Sequence, residues 1–200
     1  MLNAIVARTE RKMKRLILVI WLLPICVCSV FAQEMPEPTK HHKWLAKFVG
    51  QWDATSKGSM GDGQPAVESK GTMESKMLGG FWLTSTMKAD VSGMPFTGVQ
   101  TIGYSSKKRK YVGTWIDSMN DYMWQYEGFV DESGKKLVLE ATGPDMMEPG
   151  KTRKYRDAYE FKTDDELKVT SSVENEDGSW TTFMEGTSKR VKESNKGSAK

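Results

Sequence analysis

The feature that most constrains the fold is a period-two alternation of side-chain types, which runs through most of the chain after Gly50. From Val67 to Met77, every second residue is small or apolar, and the residues between them are charged or threonine. Successive side chains of a β-strand point to opposite faces, whereas a helix would mix the two sets on each of its faces. The alternation therefore predicts strands with one dry face and one wet face.

Short polar connectors, several of them containing glycine, separate the alternating segments and are typical of tight turns. Short connectors join neighbouring strands in an antiparallel, up-and-down order. We predict ten strands, near residues 51–58, 66–77, 80–91, 95–104, 110–118, 121–130, 136–142, 152–162, 166–174 and 179–191. A sheet of this size loses its unpaired edges by closing. The predicted fold class is therefore all-β, an antiparallel barrel of about ten strands.

The N-terminus has the features of a signal peptide. Met13-Lys14-Arg15 precedes an apolar run from Leu16 to Phe31, and Ala32 provides a small residue before a cleavage point. The run is shorter than the roughly 20 apolar residues of a spanning helix. We predict that residues 1–32 are removed and that the protein is periplasmic or secreted, the alternative being a membrane anchor that is not cleaved.

The remaining chain is predicted to contain a polar leader at 33–39, a single barrel domain at 40–192 and a disordered tail at 193–200. Without residues 1–32, 24 basic residues face 25 acidic ones, so the basic excess of the whole chain belongs to the signal peptide. This balance argues against a nucleic-acid partner or stable membrane insertion after cleavage. Both cysteines also lie within residues 1–32, which excludes cysteine nucleophiles and cysteine metal sites from the barrel.

A short amphipathic helix is predicted over 38–49, because Trp44, Leu45 and Phe48 lie at helical spacing before Gly50. The adjacent His41 and His42 point about 100° apart on a helix, so both cannot face one metal, and we expect at least one on the exposed surface. None of the predicted strands contains histidine, which argues against haem held by a strand histidine. No metal and no cofactor are predicted.

Gly50-Gln51-Trp52 directly follows this helix and opens the first strand. It resembles the Gly-x-Trp of lipocalins and their calycin relatives, in which the indole closes the barrel floor against a basic side chain from the last strand. The resemblance implies that Trp52 stacks on Arg190, a contact worth on the order of 1–2 kcal/mol when desolvated.

Longer segments carry a closer resemblance. They are His42-Lys43-Trp44-Leu45, Gly50-Gln51-Trp52-Asp53, Glu68-Ser69-Lys70-Gly71, Gly93-Met94-Pro95-Phe96-Thr97-Gly98 and the run 110–119. Together they resemble an uncharacterised bacterial family, domain of unknown function 1579, over roughly residues 40–190. The resemblance implies a calycin-like, lipocalin-like barrel. The family has no established activity, so no catalytic residue is implied.

Aromatic residues, methionines and two carboxylates fall on strand faces that we expect to line the barrel. Ligand pockets are mostly apolar with a few placed polar groups. The favoured hypothesis is that the barrel binds a small apolar or amphipathic molecule. The candidate ligand-binding residues are Trp82, Met87, Trp115, Asp117, Trp124, Tyr155, Asp157, Tyr159 and Met184.

Other interpretations of these residues remain open. For Asp117, Asp157 and Arg153 the favoured interpretation is an internal salt bridge or polar network, and the aromatic and methionine side chains are also compatible with a barrel packed solid. The loop at 143–150 is a candidate lid or, alternatively, part of a surface that meets another envelope protein without any ligand. An enzyme that uses Asp117 or Asp157 is the third alternative, although no nucleophile or base accompanies them.

Overall fold

The computed structural model describes residues 36–59, 65–145 and 147–192. The predicted signal peptide, the first three residues of the predicted polar leader and the predicted tail at 193–200 lie outside these described residues. The barrel belongs to the unit Glu37–Lys200. In the described ranges, no helix combines the length and the apolar character that a membrane crossing requires.

Ten antiparallel strands form a closed barrel in which each strand pairs with its neighbours in sequence, and the first strand pairs with the last. The strands are β1 (Gly50–Gly58), β2 (Val67–Leu78), β3 (Trp82–Val91), β4 (Met94–Ser105), β5 (Lys110–Asp117), β6 (Trp124–Val130), β7 (Lys136–Pro144), β8 (Thr152–Thr163), β9 (Glu166–Glu174) and β10 (Trp180–Arg190). The predicted fold class is confirmed.

The register places the small and apolar residues of the alternating pattern inside the barrel. On β2 and β3, for example, Met73 lies opposite Met87 and Ser75 lies opposite Ser85. Ser75 and Ser85 are buried and share a hydrogen bond of 2.8 Å between their hydroxyls. The charged residues that alternate with them on β2 are exposed. The alternation thus determines which face of the sheet turns inward.

One end of the barrel is covered by the N-terminal helix α1 (Lys40–Leu45) and the 3₁₀ turn Ala46–Phe48 that continues it. Leu45 and Phe48 are buried against the barrel core. Three side chains donate hydrogen bonds to backbone carbonyls that attach this segment: Trp44 to Gly134 at 2.9 Å, Trp52 to Phe48 at 2.8 Å and Tyr111 to His41 at 3.1 Å. We call this end of the barrel the closed end.

The strand order assigns every connector to one of two ends. The β2–β3, β4–β5, β6–β7 and β8–β9 connectors lie at the closed end with α1, and the described residues of the other five lie at the opposite end. Among these five is the two-residue connector Ser92-Gly93, in which both φ angles are positive (55° and 83°), as type I′ hairpin turns require. None of the described helices covers this second end, which we call the open end.

The two histidines contact the barrel end and differ in burial, since His41 stays partly exposed. His42 is buried, and its Nδ1 accepts a hydrogen bond of 3.0 Å from the backbone N–H of Thr39. The His41 ring is half-buried and stacks on Tyr104 with 4.0 Å between ring centroids. The helix is so short that both of these neighbours contact the barrel end, and both serve to attach it.

Candidate functional site: the barrel interior

The interior of the closed half is a solid core. The side chains that are at most 1% exposed include Trp52, Leu83, Ile102, Leu137, Leu139 and Leu167. The Arg190 guanidinium lies 4.1 Å from the Trp52 ring centroid and donates hydrogen bonds to backbone carbonyls of Lys47 (2.8 Å), Asp164 (2.9 Å) and Val49. This cation–π stack lies under the helical segment and closes that end to solvent.

The interior of the open half differs, because its inward-facing side chains keep solvent-accessible surface. Ser69, Met87, Trp115, Tyr155 and Met184 all face inward and are only half-buried. The inward-facing residues of the open half are therefore less completely buried than the core residues near the helix.

Two interior tryptophans lie over glycines of neighbouring strands. A Cβ atom at Gly98 would lie 2.4 Å from the Trp115 ring, and one at Gly143 would lie 2.2 Å from the Trp124 ring. Only glycine permits such a close approach of the ring to the strand backbone. The absence of a side chain at these two positions lets both indoles lie against the barrel wall, where they form an aromatic lining.

Asp157 is the central polar group of this interior. The Tyr126 hydroxyl donates to its Oδ2 at 2.6 Å and the Ser171 hydroxyl donates to its Oδ1 at 2.5 Å. Burial raises the pKa of the Asp157 carboxyl above its usual value, and the two hydrogen bonds act in the opposite direction. Within residues 36–59, 65–145 and 147–192, no cation forms an ion pair with this carboxyl.

Tyr159 and Gln100 extend the polar lining towards the closed end. The Gln100 side-chain amide donates to the Tyr159 hydroxyl at 2.9 Å. Burial, with the nearby charge of Asp157, raises the pKa of Tyr159, and burial together with Asp157 also raises the pKa of Tyr126. Both phenols are therefore neutral at physiological pH. The arrangement combines uncharged hydroxyl and amide groups with one carboxyl.

The structure does not bring Asp117 and Arg153 together with Asp157. Asp117 caps the turn after β5, where it accepts hydrogen bonds from the Trp115 indole at 2.9 Å and from the backbone N–H of Met119 at 2.8 Å. Arg153 lies at the open end, where it donates to the Glu174 carbonyl at 2.8 Å and lies 3.8 Å from Asp145. The three groups thus hold three separate positions, and only Asp157 lies deep in the barrel.

Trp82 does not line the interior, contrary to the sequence prediction. Its side chain is 44% exposed and lies on the outer face over Gly103, where a Cβ atom would be 2.5 Å from the ring. Trp82 and Met87 are five residues apart on β3, so a regular strand must place them on opposite faces, and Met87 faces inward. Trp82 is therefore removed from the candidate site.

Trp180 also differs from expectation, because β10 contains a bulge. By simple alternation Trp180 would share a face with Met184 and Gly186, but the register with β9 shifts between Thr182 and Met184. One extra residue reverses the alternation. Trp180 consequently lies outside the barrel, with the Arg156 guanidinium 3.8 Å from its ring centroid.

The sequence analysis missed several residues at this site. Tyr126, Ser171 and Gln100, which hydrogen-bond the interior carboxyl and phenol, were not selected, although the alternation places all three inward. The structure also shows a set of exposed methionines, between 47% and 62% exposed, at or beside connectors of the open end, and Met147 among them belongs to the loop at 143–150 that the sequence indicates as a candidate lid. We call them the rim methionines: Met94, Met119, Met123 and Met147.

Outside the interior, a shallow recess of about 420 Å³ lies on the outer wall. Four of its charged side chains form ion pairs within the recess, Lys57 with Glu68 and Lys168 with Glu185, both at 3.4 Å. In the part of the chain that the structure describes, no group of three or more His, Cys, Asp or Glu side chains is placed to hold a metal ion.

Two solved structures share this architecture. Rv2717c from M. tuberculosis aligns with a TM-score of 0.58 and 14% identity over 78% of this chain and all of that one. The S-type phycobiliprotein lyase CPES from Guillardia theta aligns with a TM-score of 0.51 and 14% identity, over 76% of this chain and 93% of that one. At these identities the likeness establishes the barrel fold alone. A comparison with curated proteins gave no match.

The family comparison covers the whole barrel, from the residues before α1 to the end of β10. The matching profile is described as a protein of unknown function, and it spans residues 37–190, well over half of the chain. The resemblance that the sequence segments indicated is confirmed. The chain belongs to the DUF1579 family.

Proposed function

We propose that this protein binds a small apolar or amphipathic molecule inside the open half of its barrel. The observation that carries the proposal is the contrast in accessibility between inward-facing residues. Trp52 and Leu167 are 0% exposed near the helix, whereas Trp115, Met87 and Met184 keep accessible surface on the same interior wall. A barrel interior that is closed at one end and accessible from the other has the geometry of a ligand-binding cavity.

The chemistry of the lining supports the same proposal. Trp115 and Trp124 supply flat apolar surface, and Met87 and Met184 supply side chains that adapt to irregular shapes. The rim methionines place similar side chains around the route into the interior. A few polar groups, with Asp157 at their centre, would orient the guest.

Export is part of the proposal. A signal peptide at residues 1–32 would deliver the barrel to the periplasm or the medium, where it would meet its ligand. Mass spectrometry of the protein isolated from its native envelope or medium tests this, with Gln33 as the expected first residue. A mature chain that still contains residues 1–32 would contradict the proposed cleavage.

Titration with the neutral apolar dye Nile red tests the binding proposal. We expect a saturable rise in fluorescence with one dye per barrel. Ala89→Trp would fill the interior, because Ala89 faces inward beside Phe96. This variant should weaken dye binding by at least about tenfold, which is the equivalent of 1.4 kcal/mol.

Thr97→Trp is the matched control. It adds the same indole to the exposed outer face of the adjacent strand, one register position from the Ala89–Phe96 pair. Dye affinity should change by less than about twofold. Equal losses in both variants, or no saturable binding to the unmodified protein, would refute interior binding.

A further inference from the structure

Asp157 lies at mid-depth in the barrel, well below the rim. It is the sixth residue of β8, which begins at Thr152, so it lies about 17 Å along the strand from the open end at 3.3 Å per residue. On the same inward face, Tyr155 lies nearer the open end and Tyr159 lies nearer the helix. The Asp157 residue keeps only part of its surface accessible, and burial of its carboxyl group is the main cause of its raised pKa.

The hydrogen bonds of Asp157 leave part of its acceptor capacity free. A carboxylate has about four lone-pair positions on two oxygens. Tyr126 and Ser171 each supply one neutral donor, so about half of these positions have a protein partner. A further donor can therefore approach from the interior.

Among the described residues of the barrel wall, no positive charge compensates Asp157. Two arginines have inward positions on the strands, and both are engaged elsewhere: Arg153 contacts Glu174 and Asp145 at the open end, and Arg190 stacks on Trp52 at the closed end. Burying a carboxylate without a cationic partner costs free energy, which a cation brought by the ligand would recover.

The route from the rim to Asp157 also favours a cation. The rings of Trp124 and Tyr155 contact each other edge to face at 5.0 Å, and the Trp115 indole lines the same half of the interior. Aromatic faces attract an ammonium group and also bury an alkyl or aryl body. The lining therefore matches a molecule with an apolar body and one cationic nitrogen.

We propose that the ligand is an amphipathic amine whose protonated nitrogen donates a hydrogen bond to Asp157, while its apolar body lies against Trp115 and Trp124 towards the open end. This inference rests on the proposed interior binding and specifies its ligand class.

Three eight-carbon probes of nearly equal size test it: n-octylamine, 1-octanol and octanoate, each used to displace Nile red at pH 7. In the unmodified protein, octylamine should displace the dye at a concentration at least about tenfold lower than either of the other two. Asp157→Asn should abolish this preference by weakening octylamine at least about tenfold, while octanol changes by less than about threefold.

Asp53→Asn is the control for net charge. It removes one negative charge from the exposed outer face of β1 and should leave the octylamine preference intact. If Asp157→Asn does not fold, the ranking of the three probes on the unmodified protein still decides the question.

The outcomes separate the two proposals. If the dye binds and octanol matches octylamine, or if none of the three probes displaces the dye, the amine inference is overturned and interior binding stands. If octanoate is preferred, Asp157 acts as a protonated donor, and the inference is again overturned. If the dye itself does not bind, the proposed function fails.

Discussion

The closed and open halves of this barrel are built from the same ten strands, yet their interiors differ. Near the helix the inward residues are large and branched, with Leu83, Ile102 and Leu137 at most 1% exposed. Further along the same wall the inward residues mix small ones, such as Ala89 and Gly98, with large ones that keep accessible surface, such as Trp115. Alternation thus specifies the barrel, whereas the packing of the inward side chains decides how completely each half is buried.

The two halves are also expected to contribute differently to the stability of the barrel and to ligand binding. Burial of apolar surface contributes roughly 25 cal/mol per Å², so the fully buried closed half should supply most of the stabilisation. The half-exposed side chains of the open half contribute less to folding, and in the proposed function they contact the ligand. Substitutions that are matched between the halves should therefore affect unfolding in one half and binding in the other.

The largest expected effect comes from Trp52→Ala. The indole is 0% exposed, packs near Phe161 with 6.4 Å between ring centroids and donates a hydrogen bond to Phe48. Its removal should lower the free energy of unfolding by about 3–5 kcal/mol, as is typical for a buried tryptophan. Urea unfolding followed by circular dichroism measures the loss.

Trp115→Ala is the matched substitution in the open half. Because Trp115 is half-buried, its removal should destabilise the barrel by clearly less and should weaken Nile red binding instead. Equal destabilisation by the two variants would contradict the division between a structural half and a binding half.

The strand order and the closure of the sheet could be predicted from sequence, since they depend on local alternation and short connectors. The observed β9 has the predicted bounds, 166–174, and most other strand ends agree within about two residues. β6 begins at Trp124, three residues later than predicted, because residues 120–122 form a turn. In this turn the backbone N–H of Tyr122 donates a hydrogen bond of 3.0 Å to Oδ1 of Asn120. The alternation of side-chain types does not show where a side-chain hydrogen bond favours a turn over a strand.

The candidate site could be predicted only in part. Alternation places Asp157 inside, and its partner Ser171 lies directly opposite it on the adjacent strand β9. Its other partner, Tyr126, comes from β6, two strands away and 31 residues earlier. Which side chains of non-adjacent strands meet depends on strand tilt and stagger, which the sequence pattern does not encode. The bulge in β10 is a second example, because one extra residue placed Trp180 outside.

The next largest effect tests how the closed end is sealed. Arg190→Met removes the stack on a fully buried indole and the hydrogen bonds to the Lys47 and Asp164 carbonyls, and it should lower stability by about 2 kcal/mol. Arg156→Met is the matched control, since Arg156 stacks on Trp180 outside the barrel. It should cost less than about 1 kcal/mol in the same urea experiment.

A smaller effect, in the open half, concerns Asp157. Because its pKa is raised above 3.8, the folded protein holds this proton to higher pH than the unfolded chain does. The contribution of Asp157 to stability is thus present at low pH and is lost as the pH rises from 3.8 through the raised folded value. Asp157→Asn cannot ionise, so its stability relative to the unmodified protein should increase across this window.

Urea midpoints of both proteins at pH values from 3.5 to 7 measure this difference. A relative stability that decreases as the pH rises would mean that a positive charge compensates the carboxylate in the free protein. That result would remove the reason for a cationic ligand.

The smallest effect concerns His41 at the closed end. Burial, followed by the charges of Lys40 and His42, lowers the pKa of the His41 ring below 6.5. The neutral ring that stacks on Tyr104 is therefore favoured by folding, and this contribution to stability is lost as the pH falls from 6.5 through the lowered pKa of the folded protein.

His41→Phe keeps an aromatic ring without a titrating group, so the decrease in urea midpoint between pH 7.5 and pH 5 should be smaller in this variant than in the unmodified protein. Lys40→Gln should reduce the same decrease by removing one repulsive charge. Because His41 contacts only the closed end, Nile red affinity at either pH should be unchanged by His41→Phe, and a change in affinity would show that the two halves are coupled.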